Sequence, residues 1–198
     1  MPIDRVEPLG LPGVLKVIPK RFGDERGVFS ETFKASDFQA YGLPTSWYQD
    51  NLSYTARKDV FRGLHFQAPP HAQAKLVQVI TGAVLDVIVD IRLGSSTYGQ
   101  ACSVELSKEN AVAIFVPEGF AHGFLTLTDD VHAHYKVTSE YAPASEGGLA
   151  WFEPKLKHFF AGVEKVLTSD RDAKWEVLND LESPFSVSPK STHASEVK

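Results

Sequence analysis

From residue 13 to residue 141 the chain is cut into short β-like runs, each closed by Gly, Pro, Asn or Asp. "GVLKVIP" (13–19), "RGVFSETF" (26–33), "AVLDVIVDI" (83–91), "ACSVELS" (101–107), "AVAIFVP" (111–117), "HGFLTLT" (122–128) and "VHAHYKVTSEY" (131–141) follow one another in this way. The third run alternates, with Ala83, Leu85, Val87, Val89 and Ile91 on one face and Asp86 and Asp90 on the other. Many short strands and almost no helical periodicity predict an all-β protein, a double-sheet jelly roll or a related barrel.

Two short helices interrupt the pattern. In "ASDFQAYG", Ser36 is placed as an N-cap, Gln39 has the capping-box spacing and Gly42 ends the helix. In "TSDRDAKWEVLND", Ser169 caps and Asp172 takes the third helical position. Residues 1–182 read as one domain without internal repeats, and the polar, proline-containing stretch 183–198 as a frayed C-terminal tail.

A chain of 198 residues, 43% of them hydrophobic, has enough apolar material for one substantial core. The net charge of −5 comes without a basic block, which argues against nucleic acid as a partner. The single cysteine, Cys102, cannot form an internal disulfide and fits a reducing compartment. The first ten residues lack the apolar centre of a signal peptide, and no run reaches membrane-spanning length. The expectation is a cytoplasmic protein with no membrane partner.

The segment "FRGLHFQAPPHAQAKLVQVITG" (61–82) carries Arg62, His65, His71 and Lys75 on what reads as a strand, a polar turn and a second strand. Such proton- and anion-handling groups suit a site on the inner wall of a barrel; the alternative is a solvated turn with satisfied histidines. Metal binding is not expected. His132 and His134 share the strand face opposite Tyr135, and His65 and His71 have no nearby Glu at a ligand-like spacing.

Seven pieces in order, "DERGVFSETF", "QDN", "RGLHFQAPPHAQAKLV", "GAVLDVIVDIRLGSSTYGQ", "VPEGFAHGFL", "HYKVTSEYAP" and "SDRD", make the chain resemble the dTDP-4-dehydrorhamnose 3,5-epimerases over roughly residues 12 to 175. The resemblance implies a cupin-type jelly roll, a homodimer, no cofactor and a dTDP-linked 4-keto-6-deoxy sugar as substrate. Hydrogens on carbons 3 and 5 of such a sugar lie alpha to the ketone, so each can leave to give an enolate. Inversion then needs a base on one face, an acid on the other, and a positive group at the enolate oxygen.

By resemblance His65 is the base, Asp172 the carboxylate that orients it, Tyr135 the acid and Lys75 the enolate stabiliser. The resemblance also implies that Gln49, Asp50 and Asn51 bind substrate, that Arg62 faces the diphosphate and that His122 contacts the sugar or supports the base. Arg26 and Glu31 would bind nucleotide, reaching the neighbouring subunit's site; Tyr141 would stack on thymine, and Glu146 and Arg171 complete the set. Residues three apart on a regular strand face opposite ways, so pairing Arg62 with His65 requires a bulge, for which Gly63 is the candidate. The stretch "FEPKLKHFFAGVEKVLTSDRD" departs from the family pattern and leaves the path to Asp172 open. Rival readings are a mono-epimerase, a ketoisomerase on the same barrel, a metal-dependent oxygenase and a non-catalytic sugar-nucleotide-binding cupin.

Overall fold

The computed structural model describes residues 3–187, among which are thirteen strands, one α-helix and three short 3-10 segments. One antiparallel sheet runs β1 (Ile3–Pro8), β2 (Leu15–Pro19), β10 (Ala113–Val116), β7 (Lys75–Thr81), β12 (Val131–Val137) and β5 (Gln49–Thr55). The other runs β13 (Glu146–Gly148), β6 (Phe61–Gln67), β11 (Phe120–Thr126), β8 (Ala83–Asp90) and β9 (Ala101–Ser107). This is the double-sheet jelly roll expected of the strand pattern, of the cupin type that the resemblance implies. An exposed hairpin, β3 (Arg21–Asp24) with β4 (Gly27–Ser30), belongs to neither sheet.

Apolar side chains from both sheets fill the space between them, Val77, Ile114 and Ala133 meeting Val84, Ile88 and Phe124. Each sheet also buries its outer face. Phe38 of α1 (Ala35–Ala40) packs with Leu76 and Phe115 outside the first sheet. Leu149, Leu156 and Leu178 pack on Val87, Val89 and Ile91 outside the second. The alternation in β8 therefore has an unusual outcome: its apolar face lies under the C-terminal segment, while Asp86 shares the inner face with Val84 and Ile88.

Several expectations change. Residues 61–82 do not form a hairpin, because β6 and β7 sit in different sheets and the Pro69–Pro70 turn crosses between them. Ser36 is inside α1, not its cap; Lys34 occupies that place without a side-chain hydrogen bond. Gly42 does end the helix, at φ +70°, a conformation glycine adopts without Cβ strain. The second helix shrinks to one 3-10 turn, Asp172–Lys174. The Ser169 hydroxyl still accepts the Asp172 N–H (3.1 Å), but the Asp172 carboxylate turns elsewhere.

The C-terminal stretch stays attached through residue 187. Leu93 N–H donates to the Phe185 carbonyl (2.9 Å) and Val187 N–H to the Leu93 carbonyl (3.0 Å), while Phe185 packs on Phe66. The rest of the predicted tail, 188–198, lies outside the described residues. No helix among the described residues is long and apolar enough to cross a membrane.

Candidate active site

A cleft of about 550 Å³ opens between the sheets, with β5, β7 and β12 on one wall and β6, β11 and β13 on the other. Its shape depends on one extra residue in β6. Phe61 and Arg62 oppose Leu125 and Phe124 of β11, yet His65 opposes His122, so two β6 residues face Gly123 alone. Gly63 absorbs this bulge at φ +124°, where an added Cβ would stand 2.6 Å from the Gly123 Cα. The bulge turns Arg62 and His65 to the same cleft, which resolves the phase problem of the regular strand.

His65 Nε2 lies 2.7 Å from Asp172 Oδ1, and Asp172 is 3% exposed. The carboxylate also accepts the Gly63 N–H (3.2 Å) and the Trp175 indole N–H (3.4 Å). Burial pushes the Asp172 carboxyl up, but the hydrogen bonds and charge of His65, with the other two donors, outweigh it and hold the group below the usual range. An ionised Asp172 can only accept, so His65 Nε2 carries a proton, and in the neutral imidazole Nδ1 is the nitrogen with the lone pair.

The path to Asp172 through the divergent segment is closely held. Glu153 accepts the Leu178 N–H (2.9 Å), Leu156 is fully buried, and Phe160 packs edge-on against Phe61 (5.3 Å). Leu167 then pairs with the chain entering β6, its carbonyl accepting the Phe61 N–H (2.7 Å) and its N–H reaching the Asp59 carbonyl (2.8 Å).

Tyr135 and Lys75 come from the opposite sheet. Tyr135 packs against the inter-sheet core, with Ala133 and Val131 on its side of β12. Burial raises its phenol above the ordinary value, with the Arg62 charge opposing that and Glu146 adding to it, so the hydroxyl keeps its proton. Lys75 opens β7, and burial brings its ammonium down to about 8 against the charges of Asp86 and Glu146. His132 and His134 point outward, His132 toward Tyr54 and His134 toward Gln78 and Asp50.

At the mouth, Glu146 Oε2 accepts from the Tyr141 hydroxyl (2.9 Å) and Arg171 Nη1 (2.8 Å). Gln49 accepts the Tyr141 N–H (2.9 Å) and donates to Asn51 (2.7 Å), so one face of β5 is tied to the same network. The Tyr141 ring is half exposed.

Three sequence-predicted site residues do not line this cleft. Asp50 alternates away from Gln49 and Asn51 and binds Lys136 Nζ at 2.9 Å on the outer face. Arg26, bound to Asp24, sits in the exposed β3–β4 hairpin, and Glu31 follows it, also exposed. Conversely, Asp86 was not predicted. It is fully buried, its Oδ2 is hydrogen-bonded to His122 Nε2 (2.8 Å) and its Oδ1 is left without a partner among the described residues. Burial raises its carboxyl, with His122 and Lys75 opposing. Its one sequence signal was a carboxylate in the middle of a mostly apolar strand. Trp175 and Gln73 also border the site; Gln73 stands in the segment that carries His65 and Lys75 but was not singled out, and Trp175 has no polar motif to mark it.

Residues 8–180 match the family model described as dTDP-4-dehydrorhamnose 3,5-epimerase. The chain belongs to this family. It is 41% identical over 177 residues to the dTDP-4-dehydrorhamnose 3,5-epimerase of Sinorhizobium fredii, spanning 89% of this chain and 91% of the relative. The crystal structure of the dTDP-6-deoxy-D-glucose-3,5-epimerase from Legionella pneumophila, in complex with dTDP-4-keto-L-rhamnose, is 38% identical with a TM-score of 0.87, covering 93% of this chain and 99% of that one. A 3′-monoepimerase from Streptomyces bikiniensis in complex with dTDP-quinovose is 33% identical with a TM-score of 0.84, covering 91% and 92%. The jelly roll is thus shared with a double epimerase and with a single epimerase alike.

Proposed function

We propose that this protein inverts carbons 3 and 5 of dTDP-4-dehydro-6-deoxy-glucose through enolate intermediates, as an isomerase of dTDP-rhamnose or deoxysugar synthesis. The observation that carries the reading is the opposition of two proton-handling groups across one cleft: the His65–Asp172 pair on the five-stranded side and Tyr135 on the six-stranded side.

His65 Nδ1 removes the proton alpha to the ketone; the C–H electron pair forms the carbon–carbon double bond of the enolate as the carbonyl π pair moves onto the carbon-4 oxygen. The Lys75 ammonium offsets the enolate charge in a half-enclosed site. The Tyr135 hydroxyl delivers a proton to the other face, inverting the centre, and phenolate and imidazolium then return to their starting states by exchange with solvent. Positioned acid and base groups contribute about 10²–10⁴-fold each. Arg62 binds the diphosphate, Gln49 and Asn51 the substrate, His122 the sugar, and Tyr141 the thymine, with Glu146 and Arg171 closing the mouth. The chain acts as a cytoplasmic homodimer in which the exposed β3–β4 hairpin takes Arg26 and Glu31 to the neighbouring site; the detachment of that hairpin from both sheets supports this arm.

A single-carbon epimerase is the second reading, favoured by the likeness to the 3′-monoepimerase. Turnover of dTDP-4-keto-6-deoxyglucose in deuterium oxide, followed by NMR, separates the two. Label at carbons 3 and 5 is expected; label at one carbon selects the single epimerase, and label at neither rejects both.

A further inference from the structure

Arg62 is not free to swing at the cleft wall. Its Nε–H donates to the Thr55 hydroxyl (2.9 Å) and an Nη2–H to the Tyr54 carbonyl (3.1 Å). Thr55 is the last residue of β5 and 4% exposed, on the strand face it shares with Gln49, Asn51 and Ser53. Tyr54 is anchored in turn, its hydroxyl donating to Asp130 (2.6 Å). The two bonds from Arg62 occupy one edge of the guanidinium. The fork between Nη1 and Nη2 is left with no protein partner among the described residues.

That open fork has the geometry that recognises two phosphate oxygens at once. A long side chain bound on one edge before the ligand arrives has fewer rotamers to lose when the other edge is used. We propose that Thr55 is a positioning residue, holding Arg62 so that its open fork meets the nucleotide diphosphate. This rests on the assignment of Arg62 to the diphosphate and extends it to a residue outside the family-like motifs. A threonine at this place supplies two things. Its β-branched shape suits the strand end, and its hydroxyl is an acceptor that an apolar side chain of the same size lacks.

The test is a set of calorimetric titrations with dTDP and with thymidine, on the full chain and on Arg62→Ala, Thr55→Val and Thr55→Ser. Thr55→Val is expected to weaken dTDP by about tenfold, the scale of one lost charge-assisted hydrogen bond. Thymidine binding should be unchanged, Thr55→Ser should recover most of the dTDP affinity, and the kinetic loss in Thr55→Val should fall on KM more than on kcat. If Arg62→Ala binds dTDP as wild type does, the diphosphate assignment is wrong and Thr55 loses its role with it. If Arg62→Ala is weak and Thr55→Val is not, the assignment stands and the positioning role is overturned. Equal losses for dTDP and thymidine, or no recovery with serine, would show a merely structural residue. Should valine unfold the chain, Thr55→Ala is titrated under the same criteria.

Discussion

At the scale of single residues, the account depends on protonation states that burial and neighbours impose. Lys75 is the clearest case, because its ammonium titrates at about 8 and only the charged form offsets an enolate. Lys75 should therefore impose an alkaline limb, the rate falling as pH rises through that value and the amine loses its proton. Lys75→Arg, which keeps its charge to above about pH 12, should carry the fall to higher pH even if it turns over slowly. Initial-rate pH profiles of the two proteins decide this, and an alkaline limb that stays in place would remove Lys75 from enolate stabilisation. That His65, Lys75, Tyr135 and Asp172 meet in one cleft was legible, because each stands in a motif whose order is hard to match by chance. Asp86 was not. On an alternating strand a carboxylate reads as the wet face, and only the C-terminal segment covering the other face turns Asp86 inward beside His122.

At the scale of elements, the bulge in β6 and the crossing from β6 to β7 build the site. The bulge was legible as a conflict, since Arg62 and His65 could not share a face on a regular strand, and Gly63 was the natural place to relieve it. The crossing was not legible, because the run of hydrophobic strand, polar turn and hydrophobic strand is common to hairpins and to sheet-to-sheet corners. Asp50 fails for the opposite reason: a motif places three consecutive residues in a site, while strand alternation admits only Gln49 and Asn51. The predicted helix at Ser169 is cut to one turn because the Asp172 side chain is held by His65, Gly63 and Trp175. Gly63→Ala tests the bulge directly. Its new Cβ would meet the Gly123 Cα at 2.6 Å and the His122 carbonyl at 2.8 Å, both backbone atoms that cannot swing aside. A loss of at least about 2 kcal/mol in urea unfolding, together with loss of activity, is expected. A variant of wild-type stability would mean that the bulge is not set by this glycine.

At the scale of the whole molecule, the jelly roll places His65 and Tyr135, the two groups proposed to carry protons, on different sheets, which is what inversion of a carbon centre requires. The strand pattern made the two-sheet architecture legible; which strands face each other across the cleft followed from pairings too distant in sequence to be seen. The hydrophobic stretch after Gly148 could not be assigned to an outer layer from its own pattern, yet it buries the back of the five-stranded sheet and carries Asp172 to His65. The central claim is that His65 and Tyr135 act from opposite sides of the substrate. Tyr135→Phe keeps the ring and removes only the hydroxyl. Measured by NMR in deuterium oxide, this variant should still exchange deuterium into unconverted substrate through His65 while inversion collapses. Exchange should then outrun product formation by a far wider margin than in the wild type. Efficient inversion by the variant would contradict the account, and so would loss of exchange and inversion in equal measure.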